Sequence, residues 1–246
     1  MSRIFQVPWK FRETIWILGA VVALLGVTLG GAHLLGIGEY VTESRYTVGY
    51  ISLLFLLQGI ILLGPLLGYT EWKYGLKLKY FGLKNIGVLR SIYSAIGGYA
   101  LFLGITLIIS IFILYTGLKI PGFQVQEDVL AVFGKDTLGL VVAGIIVVGI
   151  APIFEEIFFR GFLLRNFANR MGMFWGSVMS AGVFALFHMQ WQSIIPIFIL
   201  GLIINSLVIR HKSIMPAIFF HVLNNGIAFT IEVLLITEVI SLEQIV

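Results

Sequence analysis

The sequence predicts an all-α membrane protein, a polytopic bundle of about seven transmembrane helices with a cytoplasmic N-terminus. Three observations carry this. The chain is 59% hydrophobic and only 11% charged, with a mean hydropathy of +1.03, whereas a soluble domain carries about 25% charged residues. Its apolar residues fall into runs of about 20, the length a helix needs to cross a bilayer core. Its basic residues gather between alternate runs, as the positive-inside rule requires.

The runs are Ile15–Ile37, Val48–Tyr69, Ser91–Leu118, Leu138–Leu164, Phe174–Gln192, Ile194–Ile209 and Met215–Ile236. The sixth is short, and almost no loop joins it to the fifth, which predicts a tight helical hairpin. Arg3, Lys10 and Arg12 precede the first run, and Lys73, Lys77, Lys79, Lys84 and Arg90 separate the second from the third. Arg165 and Arg170 follow the fourth, and Arg210 and Lys212 follow the sixth. With seven alternating spans all of these share one side. The opposite side receives Arg45, Lys119 and Lys135 beside Glu39, Glu43, Glu127, Asp128, Asp136, Glu238 and Glu243. The basic side is cytoplasmic, which puts the N-terminus inside and the C-terminus outside.

The net charge of +4 and pI near 9.3 are therefore read as topology, and no nucleic-acid partner is expected. The chain has no cysteine, which removes disulfides, thiolate nucleophiles and Cys-ligated zinc. The first run is long enough to span and lacks a small-residue cleavage site, so it reads as a retained anchor. No repeat interrupts the chain, and residues 1–246 are expected to form one membrane domain. The segment Glu71–Arg90 mixes lysines with Trp72, Tyr74, Tyr80 and Phe81. It reads as an ordinary positive-inside loop, with a lipid-gripping interfacial helix as the alternative. Gly26-x-x-x-Gly30 and Gly64-x-x-x-Gly68 permit close helix contacts, more often for internal packing, and leave the oligomeric state open.

The fourth run contains Glu155, Glu156 and Arg160 and no other ionisable group. A charged side chain at that depth costs about 2.5–3.5 kcal/mol on insertion scales, so such groups mark function by default. Glu156 and Arg160 are four apart with the acid first, the favourable order for an ion pair. Glu155 points about 100° away from Glu156, has no local partner, and is the carboxylate left for chemistry. Pro152 cannot donate a hydrogen bond to the Val148 carbonyl, which predicts a kink there. A broken helix at membrane depth is tolerated where it lines a cavity. The bland alternative is that both acids only hold helices together.

Of the four histidines, His211 lies between Arg210 and Lys212 and reads as a solvated loop residue, and His33 as an interfacial or packing residue. His188 lies in the fifth run and His221 in the seventh, with Asn225 one turn after His221 and on the same face. Each alone is more often an interhelical hydrogen-bonding group. An unpaired Glu155 on a neighbouring span turns both into candidate catalysts.

Glu155-Glu156-x-x-x-Arg160, Phe184-x-x-x-His188 and His221-x-x-x-Asn225, in order on successive apolar helices, closely resemble the CPBP (or Abi) family of intramembrane proteases. That family includes the type II CAAX prenyl endopeptidases and bacterial proteins linked to bacteriocin immunity and processing. The resemblance covers Leu138 to about Ile236, so residues 137–236 would form the catalytic core and residues 1–136 variable N-terminal spans. It implies that Glu155 and His188 activate the hydrolytic water. It further implies that His221 and Asn225 stabilise the oxyanion or help hold a metal, while Glu156 and Arg160 support the site. The substrate would be a peptide or membrane-protein segment, and the location the plasma membrane of a prokaryote.

Peptide hydrolysis needs a base for water, a proton donor for the leaving amine and donors aimed at the oxyanion. Other intramembrane protease chemistries find no foothold: there is no His-Glu-x-x-His motif, no Cys and no Gly-x-Gly-Asp pattern. No cofactor is certain. A divalent metal such as zinc stays open, because Glu155, His188 and His221 have the ligand types of a catalytic zinc site, while a glutamate-activated water needs none. The alternatives from other classes are a non-proteolytic immunity or scaffold protein, and a solute transporter, which lacks the expected inverted repeat.

Overall fold

The computed structural model describes residues 6–36, 47–124, 133 and 136–237, and every regular element among them is helical. In chain order these are α1 (Phe11–Leu34), α2 (Thr47–Tyr74) and α3 (Val88–Thr116). Next comes one winding path built of α4 (Thr137–Ala143), a π-helical stretch (Gly144–Ile150), α5 (Ala151–Glu156) and a second π-helical stretch (Ile157–Leu164). It runs on into α6 (Arg165–Phe187), and α7 (Ile194–His211) and α8 (Met215–Ile236) complete the bundle. Arg3, Glu39, Glu43, Arg45, Glu127, Asp128, Lys135, Glu238 and Glu243, used above for topology, lie outside the described residues.

Among the described residues, six helical runs are long and apolar enough to cross a membrane, where the sequence predicts about seven. The difference lies in the run Thr137–Phe187, whose 51 residues would extend about 75 Å if straight, more than twice a bilayer core. Gly172 breaks it with φ 81° and ψ 167°, a conformation only glycine adopts cheaply. The chain turns back there, and the second arm packs along the first. A Cβ on Gly176 would sit 2.7 Å from the Phe167 carbonyl carbon, so the arms touch backbone to backbone. Higher up, Ser180 Oγ donates to Phe159 O at 3.3 Å and the Phe159 and Phe184 rings meet edge-on at 5.1 Å. One uninterrupted run therefore supplies the fourth and fifth predicted spans as an antiparallel pair.

Local chemistry sets the other boundaries. Asp136 caps α4 by accepting from Gly139 N at 2.9 Å, satisfying an N–H that the helix itself leaves orphaned. Ser213 does the same for α8, accepting from Met215 N at 3.1 Å, with Pro216 in the first turn. The sequence predicts a fifth span that reaches Gln192, but α6 stops at Phe187 and His188 closes it. The imidazole takes up the Phe184 carbonyl (Nδ1 to O, 2.8 Å), and Met189 then turns with φ 52°.

The basic helix ends gather at one end of the bundle, tied by contacts between segments distant in sequence. Glu13, fully buried, accepts from Lys73 Nζ and from Tyr74 Oη, which joins α1 to α2. Trp9 stacks on Phe81 and Phe162, and Arg165 lies over the Tyr80 ring while donating to Tyr80 O at 2.6 Å. The segment Glu71–Arg90 is mostly exposed but anchored to the bundle. Helix α2 continues into it to Tyr74, a single 3₁₀ turn (Leu78–Phe81) follows, and buried Phe81 packs against Gly161.

The outward faces are apolar: Leu107, Ile108, Ile111 and Leu114 on α3 are all more than half exposed. That is how a surface looks when lipid is its solvent. Inside, phenylalanines 158, 159, 162, 184 and 220 form the centre of the core. Gly26, Gly30, Gly64 and Gly68 meet no neighbouring element within 4 Å, so the two small-residue patterns do not mediate internal packing.

Candidate active site

Glu155 and Glu156 close α5, between the two π-helical stretches. Pro152 explains part of this irregularity. Ala151 N–H donates to Ile146 O, five residues back, so the local register is that of a π-helix. In that register the Val147 carbonyl looks for the N–H of residue 152, and proline has none. Asn225 Nδ2 on α8 fills the gap, donating to Val147 O at 2.9 Å. The orphan carbonyl is therefore that of Val147 and not Val148, because the π register shifts it by one residue. The second N–H of Asn225 has no partner among the described residues.

Glu156 is fully buried and its Oε1 accepts from two donors, Arg160 Nη1 at 2.8 Å and His221 Nδ1 at 2.9 Å. The predicted ion pair is present. Arg160, also fully buried, has further partners that sequence reasoning missed. Its Nε donates to Asn205 Oδ1 at 3.1 Å, Nη2 reaches the Gly201 carbonyl at 3.5 Å, and the guanidinium lies 4.2 Å over the Phe184 ring. Asn205 in turn donates to Ser177 O at 2.9 Å. A buried guanidinium satisfied on several sides and stacked on an aromatic face is what its desolvation demands. A polar Asn inside the sixth run was the available signal for Asn205.

The two carboxylates diverge, as helix geometry requires, yet they flank one ring. His221 Nε2 lies 3.8 Å from Glu155 Oε2, too far for a hydrogen bond, on the side opposite Glu156. Glu155 Oε2 is buried and has no hydrogen-bond partner. His221 is itself 3% exposed, while the Glu155 side chain keeps 19% of its surface open.

His188 arrives from the far end of α6. The pairing of the two arms about Gly172, with Phe159 opposite Phe184, brings His188 to the level of Glu155. A count from the span ends alone sets it deeper. Its ring contacts Phe184 at 4.5 Å, and Phe184 contacts His221 at 5.8 Å. Glu155, His221 and Arg160 are all near enough to act electrostatically on it, although no hydrogen bond or ion pair links His188 to Glu155 among the described residues. The tautomers follow from the partners. Phe184 O can only accept, so His188 Nδ1 carries a proton; the Glu156 carboxylate can only accept, so His221 Nδ1 does too. In both rings Nε2 makes no hydrogen bond among the described residues. One carboxylate and two imidazole nitrogens are thus left available for chemistry.

Glu155, His188 and His221 have the donor types for zinc. Among the described residues, however, no three His, Asp or Glu side chains are grouped closely enough to hold a metal ion. His211 is not a loop residue: it ends α7, half buried, with Nε2 3.0 Å from Ser94 Oγ. His33 is exposed in the last turn of α1.

No curated protein and no solved structure is matched by the chain. Residues 137–227, well under half of the chain but including every residue from Glu155 to Asn225 discussed above, match the family model described as type II CAAX prenyl endopeptidase Rce1-like. The match bears out the resemblance read from the three motifs: this stretch is similar to the type II CAAX prenyl endopeptidases.

Proposed function

We propose that the protein is an intramembrane endopeptidase that hydrolyses a peptide bond near the end of a membrane-anchored substrate. The observation that carries this reading is Glu155, whose Oε2 is buried without a hydrogen-bond partner and lies 3.8 Å from His221 Nε2, with His188 near enough to feel its charge. A carboxylate left unpaired at membrane depth costs stability and is retained for what it does.

Glu155, oriented together with His188, takes a proton from a water molecule as the water oxygen attacks the scissile carbonyl carbon. The carbonyl oxygen becomes the oxyanion. His221 donates from Nε2 to it, and the spare N–H of Asn225 is the second donor. When the C–N bond breaks, Glu155 returns its proton to the leaving amine, so the carboxylate is regenerated. Glu156 and Arg160 keep the His221 ring in place. The family likeness makes a CAAX-type, prenylated C-terminus the first substrate to try, and the host membrane the plasma membrane of a prokaryote.

The test is cleavage of a prenylated CAAX peptide, and of a peptide library, by the purified chain in detergent. Glu155→Gln and His188→Ala are expected to remain folded and to lose cleavage. Wild-type activity in both variants would overturn the assignment. Binding of a partner protein that survives in every folded variant, with no cleavage by the wild type, would favour a scaffold instead.

A further inference from the structure

A second site lies on the other side of α7. A groove of about 760 Å³ runs between α3 and α7, and none of its lining residues belongs to the Glu155 network. Arg90, Arg210 and His211 stand at its mouth, with Tyr93 and Ser94 beside them. No acidic residue lines it, and no ion pair forms to either arginine among the described residues. Deeper in, the wall turns apolar through Gly97, Leu101, Ile203 and Leu207.

We propose that this groove binds one anionic phospholipid, its phosphodiester between Arg90 and Arg210 and its upper acyl chains along the apolar wall. The polarity gradient follows the membrane normal. Arg90 is in the first turn of α3 and Arg210 in the last turn of α7, both at the basic end of the bundle. Leu101 lies 11 residues further along α3, about 16 Å toward the bilayer centre. A headgroup with its chains spans that interval; a free inorganic anion fills only the mouth. Arginine presents a planar fork of donors suited to phosphate oxygens, and basic pockets between helix ends on the cytoplasmic side are where anionic headgroups bind. The Ser94–His211 contact joins the two walls. It gives the rim a fixed spacing that loose surface lysines do not have.

Gly97 separates the two parts of the idea. A Cβ there meets no protein atom within 4 Å, so the side chain of Gly97→Leu starts into open space at the groove wall, and it raises helix propensity.

The experiment is native mass spectrometry of the full chain in detergent, titrated with phosphatidylglycerol, phosphatidylcholine or inorganic phosphate. Wild type is expected to retain one phosphatidylglycerol and to prefer it over phosphatidylcholine. Arg90→Gln/Arg210→Gln should weaken that binding about 30-fold, the factor for two basic groups removed from an anionic contact. Gly97→Leu should weaken it tenfold or more with both arginines in place. Lys77→Gln/Lys79→Gln removes the same charge from the same side and should leave binding within about twofold. Melting temperatures near wild type verify folding. Equal weakening by the lysine pair, or equal retention of the two lipids, overturns the site. So does displacement of the lipid by phosphate alone, or by a peptide carrying a free C-terminal carboxylate.

Discussion

Replacing Glu156 by glutamine strands a charge that the fold has sealed away from water and lipid. Arg160 is fully buried, and among the described residues the Glu156 carboxylate at 2.8 Å is the one that forms an ion pair with it. Asn205, the Gly201 carbonyl and the Phe184 ring remain in Glu156→Gln, but all are neutral. Breaking a buried ion pair by removing one partner costs about 3–5 kcal/mol. At roughly 2–4 °C per kcal/mol for a chain of this size, the melting temperature in detergent should fall by roughly 6–20 °C. Glu155→Gln differs in kind. The side chain is partly exposed at 19% and its Oε2 makes no hydrogen bond, so its melting temperature should stay within a few degrees. On the proposed mechanism its cleavage rate should drop by a factor of about 10²–10⁴. Substituting Glu156 and Arg160 together with apolar residues should recover part of the lost stability, because the stranded charge is gone. The assay is a thermal melt alongside peptide cleavage for all three variants. Equal melting temperatures for Glu155→Gln and Glu156→Gln, with equal loss of activity, would refute the division of labour between the two acids.

Two further outcomes follow from the helix break and the hairpin. Asn225→Ala should destabilise by about 1–3 kcal/mol, because it leaves the Val147 carbonyl unsatisfied. Pro152→Ala restores an N–H and should shrink that cost; a double-mutant cycle on melting temperatures that shows no coupling between the two positions would rule the link out. Gly176→Ala should cost at least 1–3 kcal/mol, since its methyl group meets the Ala168 and Phe167 backbone where the arms cross. A wild-type melt for that variant would mean the arms do not touch as described.

How far the sequence reached depended on the distance over which each interaction acts. Residue spacing along one helix revealed the Glu156–Arg160 pair, and it predicted that Glu155 turns away from Glu156 and that Asn225 follows His221 by one turn. Periodicity and charge alternation revealed a helical membrane bundle, since those signals are written residue by residue into each run. Both hold because a helix maps sequence separation onto angle and rise with little ambiguity. The proline break was also legible, though its register was not: the expected orphan at Val148 became Val147 once the backbone adopted a π turn. That choice depends on which donor is available across the interface, and the donor is on α8.

Tertiary structure alone decided the rest. His221 lies between two carboxylates that point away from each other, hydrogen-bonded to Glu156 alone, because α8 brings its ring there. His188 reaches the level of Glu155 because Gly172 folds one 51-residue run into two antiparallel arms, where hydropathy alone predicted two spans and no register. Asn205 and Phe184 complete the surroundings of Arg160 from other elements of the bundle, and the partners of a polar residue on one span are invisible until the spans pack. His211 moved from an assumed solvated loop to the wall of a groove for the same reason. By itself the sequence determined that Glu156 and Arg160 would be buried as a pair, since hydropathy and helix spacing are local. Which of those side chains meet was decided by glycine and proline positions acting through the packing of helices far apart in the chain.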